Sequence, residues 1–104
     1  MSQDSPSCAF EMASLARDTL GLNGVLSFAT AAQAMHLLQT RLSTTPAVAT
    51  LDLSGLAHAD SAGLACLLAL LGEASVGGRE LRLAHVPEGL QVLARVCGVD
   101  QLLG

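Results

Sequence analysis

The sequence predicts an α/β domain with a mixed, mostly parallel central sheet, an N-terminal β-hairpin and about three to four helices. Three observations point there. Apolar residues alternate with a period of two near the start of the chain and recur at spacings of three and four from Phe28 onward. Residues 48–53, Val-Ala-Thr-Leu-Asp-Leu, form an apolar run bounded by turn residues, the pattern of a strand buried at the centre of a sheet. Strand-like and helix-like segments then alternate to the end of the chain, as they do in βαβ units.

The elements follow in order. Cys8, Phe10 and Met12 alternate with Ala9, Glu11 and Ala13 and predict a half-buried first strand. Arg17 and Asp18 make a turn, residues 19–22 a second strand, and Asn23-Gly24 a turn that closes it. Phe28, Ala31, Ala32, Met35, Leu38 and Leu42 fall on one helical face, and residues 43–46 end that helix. After the strand at 48–53 comes a loop, then a helix over 61–73 with Asp60 as its N-cap. Gly77-Gly78 ends it, and residues 80–85 predict a fourth strand. Pro87 suits the first position of a last helix with the apolar stripe Leu90, Leu93, Ala94 and Cys97. Gly98 stops that helix, and residues 99–103 add a short element. The expected order is β-β-α-β-α-β-α in one domain over residues 8–104, preceded by a disordered tail at 1–7.

Composition narrows the function. The chain has 104 residues, of which 51% are hydrophobic and 13% charged, against about 25% charged in an average domain. Its five basic residues are all arginines, nine acids bring the net charge to −4, and Phe10 and Phe28 are the only aromatics. Nucleic-acid binding needs a basic surface and stacking platforms, so that class is excluded. Three cysteines without C-x-x-C pairing suit a reducing, cytoplasmic setting. The first residues lack the basic and apolar regions of a signal peptide, and the longest uncharged apolar stretch, 61–72, is shorter than the roughly 20 residues of a membrane span.

Chemistry concentrates at His58-Ala-Asp60-Ser61-Ala62-Gly63-Leu64. Histidine, aspartate and serine so close at one helix start cannot take up triad geometry, and no G-x-S-x-G elbow is present. His36, His58 and His85 lie on three elements without paired ligand spacing, so no metal site is expected. No phosphate-binding glycine loop occurs, and no cofactor is expected. An all-helical acyl carrier is disfavoured by the strands predicted at 48–53 and 80–85. Asp60 is suited to cap Ala62 or Gly63, which leaves Ser61 at the positive end of the helix. A phosphate on Ser61 would add about −1.5 to −2 charge units there, which the fold tolerates and an apolar partner does not. Plain N-capping with a bystander serine accounts for the same spacing.

The segments Leu51-Asp52-Leu53-Ser54-Gly55-Leu56, Asp60-Ser61-Ala62-Gly63-Leu64 and Leu81-Arg82-Leu83-Ala84-His85-Val86-Pro87 resemble those of the STAS domain family, the sulfate-transporter and anti-sigma-factor-antagonist domains, and the resemblance runs from about residue 8 onward. It implies a SpoIIAA-like fold, with Ser61 at the position of a regulatory phosphorylation site. It also implies that Asp52, Ser54, His58 and Asp60 support the loop around Ser61. Within the family the chain is most similar to MlaB-type subunits, which bind the ATPase of a phospholipid-transport ABC system, on its compact length, residues 24–32 and the Ala/Leu-rich helix after Gly63. In such chains an acidic residue often follows the glycine that is Gly24 here, where this chain has Val25.

The helix over 61–73 sharpens the expectation. Leu64, Leu67, Leu68 and Leu71 suit the sheet, and Ala62, Ala65, Cys66, Ala69 and Leu70 form a second apolar face for another protein or for the chain's own C-terminal segment. The expected partner-binding set is Asp60, Ser61, Ala62, Gly63, Leu64, Ala65, Ala69 and Leu70. The expected partner is an ABC-transporter ATPase at the inner membrane. The alternative is an anti-sigma-factor antagonist switched by phosphorylation of Ser61, with an anti-sigma factor or serine kinase as its partner. Weak homodimerisation of the free chain is compatible with either.

Overall fold

A computed structural model describes residues 10–103. The predicted tail at 1–7 and Cys8 lie outside the described residues. The elements are β1 (Phe10–Ala16), β2 (Thr19–Leu26), α1 (Ala31–Thr44), β3 (Thr50–Ala59), α2 (Ser61–Val76), β4 (Arg82–Ala84), α3 (Glu88–Val96) and a final 3-10 turn (Asp100–Leu103). They form one four-stranded sheet in the order β1-β2-β3-β4, with β1 antiparallel to β2 and the other pairs parallel. This is the predicted α/β architecture with its N-terminal hairpin.

Connections between neighbouring parallel strands are right-handed, so α1 and α2 lie on the same face of the sheet. Leu20, Leu22 and Leu26 of β2, with Leu51, Leu53 and Leu56 of β3, point under those helices and are buried. They meet Ala34, Leu38 and Leu42 of α1, Leu64, Leu67 and Leu70 of α2, and Leu90 and Ala94 of α3 in one core. The opposite face carries Glu11, Ala13, Asn23, Asp52, Ser54 and Arg82, none of them buried. One-sided cover explains the polar alternation along the strands. Arg79 ties the far end together. Its guanidinium donates to the carbonyls of Leu42 (2.6 Å), Thr45 (2.8 Å) and Val48 (2.7 Å), satisfying groups that the end of α1 leaves open.

Three expectations are corrected. Asn23-Gly24 does not close β2. Gly24 takes a positive φ of 91° inside the strand, and β2 continues to Leu26. Likewise the loop expected after Leu53 is strand, because β3 runs on to Ala59. Ser54-Gly55 is an irregularity in the pairing with β2, where Gly21 faces Asp52 and Asn23 faces Gly55. A Cβ at Gly55 would collide with the Asn23 side chain, so glycine there permits the pairing. The extra residues advance the inward phase, and Leu56 comes back to the core. Finally, Phe28 and Ala32 are exposed rather than on the buried face of α1, which begins only at Ala31.

Smaller differences lie in the last third. Residues 80 and 81 precede β4, and His85 ends it with a left-handed φ of 55°. Pro87 is the N-cap of α3 rather than its first residue, and Cys97 is the exposed C-cap rather than part of the apolar stripe.

Candidate functional site

Ser61 stands where β3 delivers the chain into α2 with no intervening loop, only Asp60 between them. Asp60 organises the corner. Its Oδ1 accepts the N–H groups of Ala62 (3.0 Å) and Gly63 (3.1 Å), the capping expected from the sequence. Its Oδ2 accepts the N–H of Phe28 at 3.0 Å, thirty-two residues away in sequence. Bonded first by Phe28 and then by Gly63, the carboxyl is held below its ordinary range and carries charge. The Asp60 N–H donates in turn to the Leu26 carbonyl at 3.3 Å. The start of α2 and the turn before α1 are therefore one hydrogen-bonded unit.

That turn is closed independently. The Thr30 hydroxyl accepts the Ser27 N–H at 2.9 Å and donates to the Val25 carbonyl at 2.9 Å, and the Thr30 N–H donates to the Ser27 carbonyl at 3.0 Å. Thr30 is the one buried polar residue among those described, and both roles of its hydroxyl are filled. Between these anchors the Phe28 side chain remains 85% exposed. Sequence periodicity assigned Phe28 to the core. The signal that places it in a turn is Ser27 three residues before Thr30, a spacing at which a threonine hydroxyl closes a turn on itself.

Gly63 permits the close approach. A Cβ there would run into the Leu26 carbonyl, so α2 starts against the end of β2 only because position 63 carries none. Of the expected partner-binding set, Ser61, Ala65 and Ala69 are exposed and follow one another at one-turn spacing, with Ala62 and Asp60 half-buried beside them. Gly63, Leu64 and Leu70 are buried within the domain, which corrects their expected place at a partner surface. The second apolar face of α2 is covered in part by α1: the Cys66 thiol lies 3.7 Å from the Met35 sulfur, and burial pushes its pKa up. The small-residue edge stays open, as does the last turn with Glu73 and Val76.

Asp52, Ser54 and His58 stand on β3 rather than on a loop. Asp52 Oδ1 accepts the Ser54 N–H at 2.9 Å, and Oδ2 lies 3.2 Å from His85 Nδ1. The Ser54 bonds, with a smaller contribution from His85, hold the Asp52 carboxyl below its ordinary range. Asp52 thus joins β3 to the β4–α3 connection on the open side of the sheet, an acid that is explained by its partners. His58 is exposed and faces Val25 of β2 in the strand pairing. Among the described residues no cluster of three His, Cys, Asp or Glu could hold a metal ion, and no helix is long and apolar enough to cross a membrane.

Comparison with known proteins agrees with this fold. The anti-sigma factor antagonist SpoIIAA in its unphosphorylated form superposes with a TM-score of 0.61 at 20% identity, covering 84% of this chain and 82% of that one. The Bacillus cell fate determinant SpoIIAA in its phosphorylated form gives a TM-score of 0.63 at 19% identity, covering 90% and 87%. Likeness at that identity establishes the shared SpoIIAA-like fold. No curated protein sequence matches the chain. The family description "Mlab, STAS domain" matches residues 10–104, and the chain belongs to the STAS domain family.

Proposed function

We propose that this chain is a non-enzymatic docking subunit, which binds and supports the cytoplasmic ATPase of an Mla-type phospholipid-transport ABC transporter. The observation that carries the reading is the open edge of α2. Ser61, Ala65 and Ala69 form an uncharged strip of small exposed residues along the first turns of a helix whose Leu64, Leu67 and Leu70 pack into the core, and it starts at the corner that Asp60 shares with Phe28. A strip of this kind lets another helix or loop approach closely while exposing no charge that binding would have to desolvate. The Mlab description of the matched family supports the choice of transporter. In this reading the chain works in the cytoplasm and reaches the inner membrane through its partner. The test is purification of the tagged chain from its own host. An ABC ATPase recovered in stoichiometric amount, and losing activity when the chain is removed, supports the reading; its absence from the purified material overturns it.

A second reading, an anti-sigma-factor antagonist controlled at Ser61, is favoured by one observation: the same fold occurs in SpoIIAA in both phosphorylated and unphosphorylated forms. Ser61 is exposed at a helix N-terminus, where a phosphate is electrostatically tolerated. Phosphate on Ser61 by mass spectrometry, together with a serine kinase among the recovered proteins, would decide for this reading.

A further inference from the structure

The molecule is polarised along its strands. The carboxyl ends of β2, β3 and β4 and the N-termini of the three helices lie together at the Ser61 end. All five arginines lie toward the opposite end: Arg17 in the β1–β2 turn, Arg41 in the last turn of α1, Arg79 and Arg82 at the entry to β4, and Arg95 in the last turn of α3. The Ser61 end carries Glu11 at the start of antiparallel β1, Asp60 before α2 and Glu88 in the first turn of α3, with His58 and His85 at the carboxyl ends of β3 and β4, whereas Asp18, Glu73 and Glu80 lie among the arginines at the far end. With histidines counted neutral at pH 7, the Ser61 end presents acids and no cation among the described residues. At the same end Phe28, one of two aromatics in the chain, projects from a turn closed by Thr30 and pinned by Asp60.

From these placements we infer that Phe28 is the anchor of the docking surface, entering an apolar cleft of a protein partner whose rim is cationic. An exposed phenyl ring on a turn held by several hydrogen bonds has its backbone ordered before binding, so a cleft that takes it gains apolar burial at small entropic cost. Ala29 and Ala32, close to it in the chain, and Ser61, which follows the Asp60 that holds the Phe28 N–H, are small and exposed, so no bulky side chain of theirs stands in the way of a cleft wall. The charge pattern selects the occupant. A second copy would bring acid against acid across a two-fold axis, and an anionic membrane would be repelled, whereas a lysine- or arginine-rimmed cleft complements the surface. The inference rests on the docking reading above and names the residue and the chemistry that the partner must offer.

The experiment places the photo-crosslinker p-benzoylphenylalanine at position 28 of the full chain in its own host, and in parallel at Val76, which is 92% exposed at the opposite end. The expected result is an adduct from position 28 only, mapping by mass spectrometry to an apolar cleft of the ATPase bordered by lysine or arginine. Phe28→Ser should then weaken binding of the purified ATPase by about tenfold or more, whereas Val76→Ser leaves it unchanged. Affinity should fall about fivefold as KCl is raised from about 0.05 to about 0.5 M. A position-28 adduct in a basic-rimmed cleft of some other protein keeps the anchor and removes the ATPase reading. Recovery of the ATPase with no position-28 adduct, or with equal effects of Phe28→Ser and Val76→Ser, overturns the anchor and leaves the ATPase reading standing. An adduct to a second copy of the chain overturns the anchor, and loss of both adduct and ATPase overturns both.

Discussion

The Asp60 carboxylate accepts the Phe28 N–H at 3.0 Å while its other oxygen caps α2, so one side chain positions both parts of the candidate surface. Asparagine is as good an N-cap as aspartate, yet only one of its terminal atoms can accept. Asp60→Ala should lower Tm by about 5 °C, the size expected for a lost cap in a domain of this length, and Asp60→Asn by less. Partner affinity should fall in both, because both release the Phe28 turn. Melting curves beside a binding titration check this, and unchanged affinity for Asp60→Asn would remove the Phe28 bond from the site.

Glycine-to-alanine changes in α2 should have opposite signs. In an open helical position the substitution gains about 0.5–1 kcal/mol, and Gly72 has nothing within reach of a new Cβ. At Gly63 the Cβ meets the Leu26 carbonyl, so α2 must move off β2 at a cost of about 1–3 kcal/mol. Urea midpoints of Gly63→Ala and Gly72→Ala should bracket the wild type.

Aspartate substitutions separate packing from docking on α2. Leu70 is 2% exposed, so Leu70→Asp buries an unpaired carboxylate and should abolish cooperative unfolding. Ala69, its exposed neighbour, should accept aspartate with Tm within about 2 °C of wild type. Ala69→Asp should nevertheless reduce partner binding about tenfold if the strip is the interface. Circular dichroism melts and a pull-down distinguish the two effects.

Ser61→Glu should leave folding nearly unchanged, since an acid in the first turn of a helix is electrostatically favoured. Docking should weaken about tenfold or more, because the added charge would be desolvated at a packed contact. Wild-type affinity for Ser61→Glu, measured by calorimetry, would take Ser61 out of the interface.

Acid should destabilise the fold through Asp52 and Asp60. Both carboxyls are held below their ordinary value of 3.8, by the Ser54 N–H first at Asp52 and by the Phe28 N–H first at Asp60. The folded state therefore binds these protons more weakly than the unfolded chain does. Their stabilisation is complete above the unfolded value and is lost as pH falls through the depressed folded values. Urea midpoints should fall as pH drops below about 4, and Asp60→Asn should flatten the fall.

Much of the site was legible before any coordinates. Asp60 as a cap and Ser61 at the first helical position follow from residue type and spacing, because capping is a local interaction between neighbours in sequence. The breaks expected at Asn23-Gly24 and Ser54-Gly55 were misplaced for a related reason. Glycine and small polar residues mark local freedom, and a strand irregularity uses that freedom just as a turn does. Phe28 misled in the other direction, since its spacing matched the helix while a threonine hydroxyl delayed the helix start to Ala31.

The sequence by itself determined the α/β order, the Asp-Ser-x-Gly corner and the apolar excess of α2, all properties of residues near one another in the chain. Only the tertiary structure decided which side of α2 stays open, that Phe28 stands beside Ser61, and that the arginines gather at the far end. Those outcomes depend on which distant segments pack together. Packing of α1 covers Cys66 and Leu70 and leaves Ala65 and Ala69 uncovered, a distinction invisible in a helix that is apolar all round.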